Sequence, residues 1–193
     1  MIQFAATEHG AVRVRVVGVG NAGGMITKRI AHERLPGVEC SVVNTALKDL
    51  GNCQEIRALQ IGTTLTRGHG AGMDPAIGRK AALEDANRLR DFLGANDIVF
   101  LVAGFGKGTG TGATPEIGLL AKELGALTFA FVTTPFAFER RCHHDIAAQG
   151  LEEIKERVDA WIPLSNQRLF DHELGPLKYQ AALDYKNEAV LAA

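Results

Sequence analysis

The residues best suited to chemistry are the alternating glycines and threonines between Gly104 and Gly112. The run reads Gly-Phe-Gly-Lys-Gly-Thr-Gly-Thr-Gly, directly after an apolar stretch at 98–102 and directly before a helical pattern. Glycine adopts positive φ angles and lets the backbone approach a ligand, and the N-terminus of the following helix adds the positive end of its dipole. The run therefore predicts a phosphate-binding loop. By itself, a glycine-rich turn between a strand and a helix fits the same residues.

Two further glycine clusters each precede a helical pattern. One spans 18–24 after an alternating strand pattern, and the other spans 68–72 and leads to Asp74 and Pro75, which suit the N-cap and first position of a helix. A dinucleotide fingerprint requires an acidic residue about 20 residues further on, and this chain has Val-Val-Asn-Thr at 42–45 instead. The clusters together predict a nucleotide site, and the 42–45 segment argues against a dinucleotide cofactor.

Hydrophobic periodicity predicts strands that alternate with helices along the chain. The strands are expected at 12–19, 39–43, 97–102, 128–132 and 160–164, and the helices at 23–33, 75–93, 112–124, 142–157 and 177–192. This alternation predicts an α/β fold: a doubly wound, mainly parallel, Rossmann-like sheet with helices on both faces. Ligands are then expected above the carboxyl ends of the strands. The charged residues of the 75–93 helix, Arg79 and Asp85 among them, are expected to face solvent.

The composition suits a single soluble domain. The 193 residues include 46% hydrophobic side chains and carry a formal net charge of −1, so a sizeable core is expected and no basic field attracts nucleic acid or an anionic membrane. No apolar run is long enough to span a bilayer, and no signal-peptide pattern opens the chain. Cys40, Cys53 and Cys142 show no metal-ligand spacing and fit a reducing cytosol. These features predict a cytoplasmic protein with no metal site, nucleic-acid partner or membrane insertion.

Four ordered segments resemble the FtsZ/tubulin family of GTPases, with an FtsZ-like pattern. The segment 102–115, which contains the glycine run, is similar to the tubulin signature of that family, and 65–72 is similar to its γ-phosphate loop. Thr-Thr-Pro-Phe-Ala-Phe-Glu at 133–139 resembles the sugar-binding loop, and Asn-Gln-Arg-Leu at 166–169 resembles the guanine-side segment. Four ordered motifs are far more specific than one glycine pattern. The resemblance covers about 12–191 and implies a tubulin-type GTPase domain.

The resemblance implies that GTP or GDP is the ligand and that Mg²⁺ accompanies GTP. The residues that it places at the nucleotide come from the glycine clusters, the sugar loop, the guanine-side segment and the last predicted helix. They are Gly20, Asn21, Ala22, Gly23, Gly24, Asn44, Gly70, Ala71, Gly72, Gly104, Gly106, Lys107, Gly108, Thr109, Gly110, Thr111, Thr133, Pro135, Glu139, His143, Asn166, Leu183 and Asn187. No residue of this chain is expected to be catalytic or to ligate a metal.

Two of these residues keep two interpretations. Glu139 could accept hydrogen bonds from ribose hydroxyls, or it could merely lie near the start of the following helix, where its charge favours the helix dipole. The resemblance favours the ribose contact. Lys107 could supply positive charge to a phosphate, or it could point to solvent as most loop lysines do.

The chain departs from the family at several positions. Met25 stands where an asparagine is usual, Ala46 where an aspartate is usual, and Lys107 where a loop glycine is usual. His143 stands where the family has an arginine that reaches the ribose or phosphates. A histidine restores that positive charge only near or below its pKa of about 6.5.

Base recognition is expected to depart from the family as well. Leu183 and Asn187 fall where the family carries an aromatic that stacks on guanine and an aspartate or asparagine that pairs with the base edge. Leucine does not stack as an aromatic does, and an amide offers one acceptor and one donor where a carboxylate accepts twice. We expect weaker selection for guanine, with GDP and GTP still bound more tightly than adenine nucleotides.

The resemblance divides the chain into an N-terminal extension at 1–10, a GTP-binding domain at 11–175 and a core helix at 176–193. In the family, that helix continues into a loop whose acidic residue acts on the nucleotide of the neighbouring subunit, and a second domain follows. The chain ends before such a loop, so we expect it to bind nucleotide and to hydrolyse it poorly alone.

The function implied by the resemblance is that of an FtsZ-like cytoskeletal GTPase that hydrolyses GTP in a complete filament and polymerises head to tail in cell division. Its partners are then copies of itself, other FtsZ-like subunits and division or cytoskeletal proteins. An alternative is a nucleotide-binding regulator that caps such filaments because it offers one of two complementary surfaces. A small-molecule transferase on the same scaffold is a third class, against which the ordered motifs argue.

Overall fold

The computed structural model describes residues 12–53 and 55–171. Within them, the strands are β1 (Val14–Val19), β2 (Val38–Asn44), β3 (Arg57–Gln60), β4 (Ile98–Gly104), β5 (Leu127–Thr134) and β6 (Ala160–Ser165). The helices are α1 (Gly20–His32), α2 (Leu47–Gly51), α3 (Thr63–Thr66), α4 (Pro75–Glu84), α5 (Ala86–Leu93), α6 (Gly108–Glu123), α7 (Arg141–Ile154) and α8 (Asn166–Asp171). The segments 1–10 and 176–193, with the predicted helix 177–192 and its Leu183 and Asn187, lie outside the described residues. The limits of the domains stay a prediction.

All of these strands run parallel in one sheet of order β3-β2-β1-β4-β5-β6. β1 is central, because Val14 pairs with Val38 of β2 on one side and with Ile98 of β4 on the other. The winding reverses between β1 and β4, and ligands bind above the carboxyl ends of the strands at such a switch point. The predicted doubly wound parallel sheet is confirmed.

Helices cover both faces of the sheet because successive side chains of β1 and β4 point to opposite faces. On one face, Val16 and Val102 pack against Ile26 and Ile30 of α1. The larger core on the other face joins β1 and β4 to α4, α5, α6 and α7, and it includes Val17, Val19, Ala81, Leu89, Leu101, Ala103, Ile117 and Ile154. Burial on both faces holds the carboxyl ends of the central strands in place. Among the residues that the structure describes, none of the helices is long and apolar enough to cross a lipid bilayer.

The predicted helix 75–93 is two helices, because Asp85 leaves the helical conformation between α4 and α5. Its φ and ψ angles are −105° and 22°. Its buried carboxylate accepts from the backbone N–H of Gly62 at 2.7 Å and from the Arg88 guanidinium at 2.7 Å. The expectation that Asp85 faces solvent is therefore wrong. Arg79, also expected in solvent, stays partly exposed but forms an ion pair with the buried Glu116 at 2.9 Å.

Sequence periodicity misses the shortest elements. β3, α2, α3 and α8 are between four and six residues long, too short to display a helical or strand period. The starts of two helices are also misplaced. α1 begins at Gly20 and α6 at Gly108, rather than at 23 and 112, because the glycine clusters favour loops in a sequence pattern and here form the first helical turns.

Candidate functional site

A cleft of about 410 Å³ opens at the carboxyl edge of the sheet, above β1 and β4. The first turns of α1 and α6 line it, together with the loops that follow β2 and β5, the loop before α4 and the first residue of α8. The predicted site residues that it brings together are Gly20, Asn21, Ala22, Asn44, Gly70, Ala71, Gly72, Gly104, Gly106, Lys107, Gly108, Thr109, Gly110, Thr133, Pro135, Glu139 and Asn166. The fold thus gathers most of the predicted site from distant segments.

Two helices begin at the cleft without a side-chain cap. Neither Val19, the N-cap of α1, nor Lys107, the N-cap of α6, makes a capping hydrogen bond through its side chain. The first N–H groups of a helix have no partner within the helix and carry the positive end of its dipole. By contrast, the Asp74 carboxylate accepts from the Ala76 N–H at 2.8 Å and caps α4. The cleft therefore presents two sets of backbone donors to one volume, an arrangement suited to an anion.

Close packing explains the glycines at the start of α6 better than backbone freedom does. In the run 104–112, only Gly106 has a positive φ, of 111°. A Cβ atom at Gly108 would lie 2.8 Å from the carbonyl oxygen of Ala71, and one at Gly110 would collide with the carbonyl oxygen of Gly104. Because these side chains are absent, α6 packs at backbone distance against β4 and the 70–72 loop, which brings its first turn into the cleft.

The two threonines of the run have different positions. Thr109 lines the cleft, and its hydroxyl lies 2.6 Å from the hydroxyl of Thr45 in the loop after β2. Thr111 is buried outside the lining, and its hydroxyl oxygen accepts from the Gly106 N–H at 2.9 Å. Thr109 can therefore meet a ligand directly, whereas Thr111 holds the loop that surrounds it.

The loop before α4 is joined to the rest of the site by backbone hydrogen bonds. The Gly108 N–H donates to the Gly72 carbonyl at 3.2 Å, and the Leu47 N–H donates to the Gly68 carbonyl at 3.0 Å. Gly70 and Gly72 have φ angles of 88° and 58°, which favour glycine at both positions. The loop is thus fixed between the start of α6 and the loop after β2.

Asn44 organises the loop after β2 while lining the cleft. Its buried Oδ1 accepts from the Thr45 N–H at 2.8 Å and the Ala46 N–H at 3.3 Å, and its Nδ2 donates to Asp49 at 3.4 Å. Asp49 and His69 also line the cleft, and neither is among the predicted site residues. His69 lies within the 68–72 glycine cluster, so its position was available in the pattern, whereas nothing in the sequence marks Asp49.

The 135–139 loop is closed on itself by Glu139. The Glu139 N–H donates to the Phe136 carbonyl at 2.9 Å, and Glu139 Oε1 accepts from the Phe136 N–H at 2.9 Å. The rings of Phe136 and Phe138 stack with centroids 5.0 Å apart. Glu139 lines the cleft just before α7, so it shapes the loop and still presents a carboxylate, whose oxygens each have a second lone pair.

His143 lies behind this loop and outside the cleft lining. Its Nδ1 is 3.0 Å from Glu139 Oε2, and its backbone carbonyl would lie 3.0 Å from a Cβ atom at Gly106. Its Nε2 is buried and has no hydrogen-bond partner among the described residues. The imidazole is therefore engaged by Glu139, and it does not occupy the open position expected of a phosphate-binding side chain.

Two predicted glycines pack α1 against the sheet. A Cβ atom at Gly23 would collide with the carbonyl oxygen of Val102 in β4, which makes glycine necessary for this approach. Gly24 lines a side pocket of about 260 Å³ with Cys53 rather than the main cleft. Burial raises the pKa of the Cys53 thiol, which disfavours its thiolate form.

Asn166, the first residue of α8, directly follows β6 and lines the cleft from that edge of the sheet. Its side chain is 6% exposed, and its Oδ1 is buried with no hydrogen-bond partner in the part of the chain that is described. A buried acceptor without a partner is uncommon in proteins and costs free energy until it is satisfied. Because Asn166 lines the cleft, its Oδ1 is placed to accept from a molecule held there.

A model of the Tubulin/FtsZ family, GTPase domain, matches residues 13–173 of this sequence. The chain belongs to the tubulin/FtsZ family. The three glycine loops, the 133–139 loop and Asn166 are accordingly the parts of a tubulin-type GTPase domain, brought to one cleft.

Curated relatives support the membership. The cell division protein FtsZ of Coxiella burnetii is 40% identical over 171 residues, which cover 89% of this chain and 44% of that protein. The FtsZ of Buchnera aphidicola is 44% identical over 156 residues, covering 81% of this chain and 41% of that protein. The chain therefore spans less than half the length of these relatives.

Solved structures agree with the fold. An empty FtsZ dimer from M. jannaschii is 33% identical with a TM-score of 0.91, over 96% of this chain and 54% of that one. CetZ2 from Haloferax volcanii, solved as a GTPγS-bound protofilament, is 26% identical with a TM-score of 0.83, over 94% of this chain and 56% of that one.

Proposed function

We propose that this chain is the nucleotide-binding domain of an FtsZ-like cytoskeletal GTPase, which binds GTP and GDP in the cleft above β1 and β4. The observation that carries the proposal is the meeting of two uncapped helix N-termini at one volume. Their N–H groups suit the phosphates of a nucleotide, and the glycines at 104–110 let the backbone come close to them.

The ribose and the base of the nucleotide are assigned to lining residues whose hydrogen-bonding groups suit them. The Glu139 carboxylate is an acceptor-only group and suits the two ribose hydroxyls. The unpartnered Oδ1 of Asn166 is an acceptor, and the edge of guanine offers N–H donors from its ring and amino group. Leu183 and Asn187 lie outside the described residues, so their predicted part in base recognition stays a prediction.

Mg²⁺ is proposed to enter with GTP and to be held by the phosphates. Mg²⁺ keeps several waters and binds through substrate phosphates with one or two carboxylates, rather than in an all-protein cage. Within the described residues, no group of three or more His, Cys, Asp and Glu is placed to form such a cage. We expect chelation of Mg²⁺ to weaken GTP binding more than GDP binding.

The proposed role is GTP hydrolysis linked to head-to-tail polymerisation of copies of this protein, or of FtsZ-like subunits, in the cytoplasm during cell division. The relatives named above are cell division proteins, and one structural neighbour is a protofilament. A regulator that caps filaments is not favoured, because no feature of the described residues sets this chain apart as a non-polymerising relative. Light scattering with GTP, with and without an FtsZ partner, separates the two: self-assembly supports polymerisation, and suppression of the partner's assembly supports capping.

Calorimetric titration with GTP, GDP and ATP at fixed salt and Mg²⁺ tests the nucleotide proposal. We expect GTP and GDP to bind at least about tenfold more tightly than ATP, since the site satisfies guanine donors that adenine lacks. Asn166→Ala should narrow this difference by weakening the guanine nucleotides alone. Equal affinities for guanine and adenine nucleotides in the unaltered chain would overturn the assignment.

A further inference from the structure

Among the described residues that line the cleft, Lys107 is the only lysine or arginine. The two carboxylates of the lining, Asp49 and Glu139, are turned to other partners: Asp49 accepts from Asn44 and Glu139 from His143. Lys107 is exposed and makes no ion pair or hydrogen bond through its ammonium group with any described residue. Its charge is therefore available to a ligand.

The position of Lys107 is set by its two neighbours. Gly106 lies against Pro135 and His143, beside the sugar loop, and Gly108 lies against Ala71, beside the loop before α4. Lys107 thus lies between the two loops, at the N-cap of α6. A long flexible side chain with a compact ammonium can reach an anion held over the first turn of that helix.

His143 does not provide this charge to the cleft. Its Nδ1 is 3.0 Å from Glu139, and its side chain is only 12% exposed. With His143 engaged behind the sugar loop, Lys107 is the one permanently positive side chain of the described lining that can meet the phosphates, beside the helix dipoles and the Mg²⁺ proposed to enter with GTP. A nucleoside triphosphate carries several negative charges, and charge-assisted hydrogen bonds are about twice as strong as neutral ones.

We propose that Lys107 is the cationic phosphate-binding residue of this chain, since His143 contacts Glu139 and lies outside the cleft lining. The proposal rests on the proposed nucleotide function of the cleft. The side chain binds the phosphate chain and not the nucleoside, so its contribution rises with the number of phosphates. The affinity of the chain for nucleotides then depends on one lysine and on ionic strength.

Binding of GTP, GDP and guanosine to Lys107→Met tests the proposal. The backbone of Lys107 is extended, with φ −134° and ψ −171°, so methionine fits without strain. We expect GTP affinity to fall about tenfold, the value of one charge-assisted hydrogen bond. GDP affinity should fall less, and guanosine affinity should not change.

Two further variants separate charge from shape. Lys107→Arg should keep most of the GTP affinity, and Lys80→Met, which removes an exposed lysine of α4 outside the cleft, should leave it unchanged. Equal GTP affinity for the unaltered chain and Lys107→Met shows a solvated lysine and overturns the proposal. An equal loss for guanosine and GTP shows a general disturbance of the loop and also overturns it. If the unaltered chain binds neither GTP nor GDP, the proposed function itself fails.

Discussion

Glu139 combines a structural task, which its contacts show, with the ribose contact that we propose for it. Its carboxylate closes the 135–139 loop through the Phe136 N–H and holds His143 behind that loop. The sequence offered a ribose contact and a helix-start position as alternatives. The geometry makes them compatible, because a carboxylate oxygen with one hydrogen bond still has a lone pair for another.

Glu139→Gln separates the two tasks, because the amide keeps an oxygen for the Phe136 N–H and loses the negative charge. We expect GDP affinity to fall about tenfold, as for one hydrogen bond to a charged group. The affinity for 2′,3′-dideoxy-GDP should change little, since that ligand lacks the hydroxyls. Competition titrations measure both, and His143→Gln serves as the control for the loop. If both ligands lose affinity equally, Glu139 is structural alone.

The lowered pKa of the Asp159 carboxyl predicts how the stability of the fold changes at low pH. Hydrogen bonds from the Thr128 N–H, and then from Lys122, hold the pKa of its carboxyl below the ordinary value of 3.8. The carboxylate therefore stabilises the fold fully above that value, and the contribution is lost as the pH falls through the folded-state pKa. Asp159→Asn should be less stable at neutral pH by under about 1 kcal/mol, because the ion pair is exposed. Urea unfolding should show that the difference in unfolding free energy between the variant and the unaltered chain disappears in acid. A difference that persists there contradicts the lowered pKa of Asp159.

At the scale of elements, α4 and α6 are joined by glycine contacts and by one buried carboxylate. A Cβ atom at Gly112 would collide with the carbonyl oxygen of Pro75, and Glu116 of α6 lies between Arg79 at 2.9 Å and Arg157 at 3.7 Å. The contact matters for the site because α4 carries the 70–72 loop at its N-terminal end. By joining α6 to α4 through Arg79, Glu116 helps to position the 70–72 loop without contacting it.

Glu116→Gln should lower the free energy of unfolding by about 1–2 kcal/mol, because a buried carboxylate that is paired with two guanidinium groups loses its charge. The matched control is Glu123→Gln, also on α6, which breaks an exposed ion pair with Arg90 and should cost less than about 0.5 kcal/mol. Denaturant titration of both variants measures the difference. Equal costs would mean that burial of Glu116 adds nothing.

What the sequence could predict depends on the length of each element. The patterns of β1, β4, β5, α1 and α7 were long enough to predict these elements. The glycines indicated the loops after β1 and β4, and the family resemblance indicated the loop after β5. The break at Asp85 could not be read, because its cause is the N–H of Gly62, which is distant in sequence. The site shows the same limit. The glycine clusters indicated the loops that line the cleft, whereas the position of His143 behind the 135–139 loop and the presence of Asp49 in the lining depend on tertiary contacts.

For the whole molecule, the site exists only when distant segments fold together, so nucleotide binding and folding are coupled. A ligand that binds only the folded state at 100 times its dissociation constant adds about 2.7 kcal/mol of stability. For a domain of this size we expect GDP to raise the Tm by about 5–10 °C. ATP at the same concentration should raise it less. Differential scanning fluorimetry measures the shifts, and no shift with GDP would contradict the proposed binding.

The surface around the cleft bears on the proposed head-to-tail assembly of the whole molecule. Three exposed apolar side chains form its rim: Met25 lines the cleft, Met73 directly follows Gly72 of the lining, and Phe138 directly precedes Glu139 of the lining. In the proposed head-to-tail filament, these apolar groups suit a surface that the next subunit covers. Such a contact repeats along the filament, so we expect a single rim substitution to affect every contact.

Met73→Ser should therefore suppress GTP-dependent light scattering while leaving GDP affinity within about twofold, a change of less than about 0.5 kcal/mol, because Met73 is exposed and outside the cleft lining. Leu83→Ser is the control, because Leu83 is also apolar and exposed but lies at the C-terminal end of α4, away from the cleft lining. It should assemble as the unaltered chain does. If both variants assemble normally, the rim is not the contact surface. If the unaltered chain does not scatter with GTP, alone or with an FtsZ partner, the polymerisation proposal is wrong while the nucleotide site stands on its own titrations.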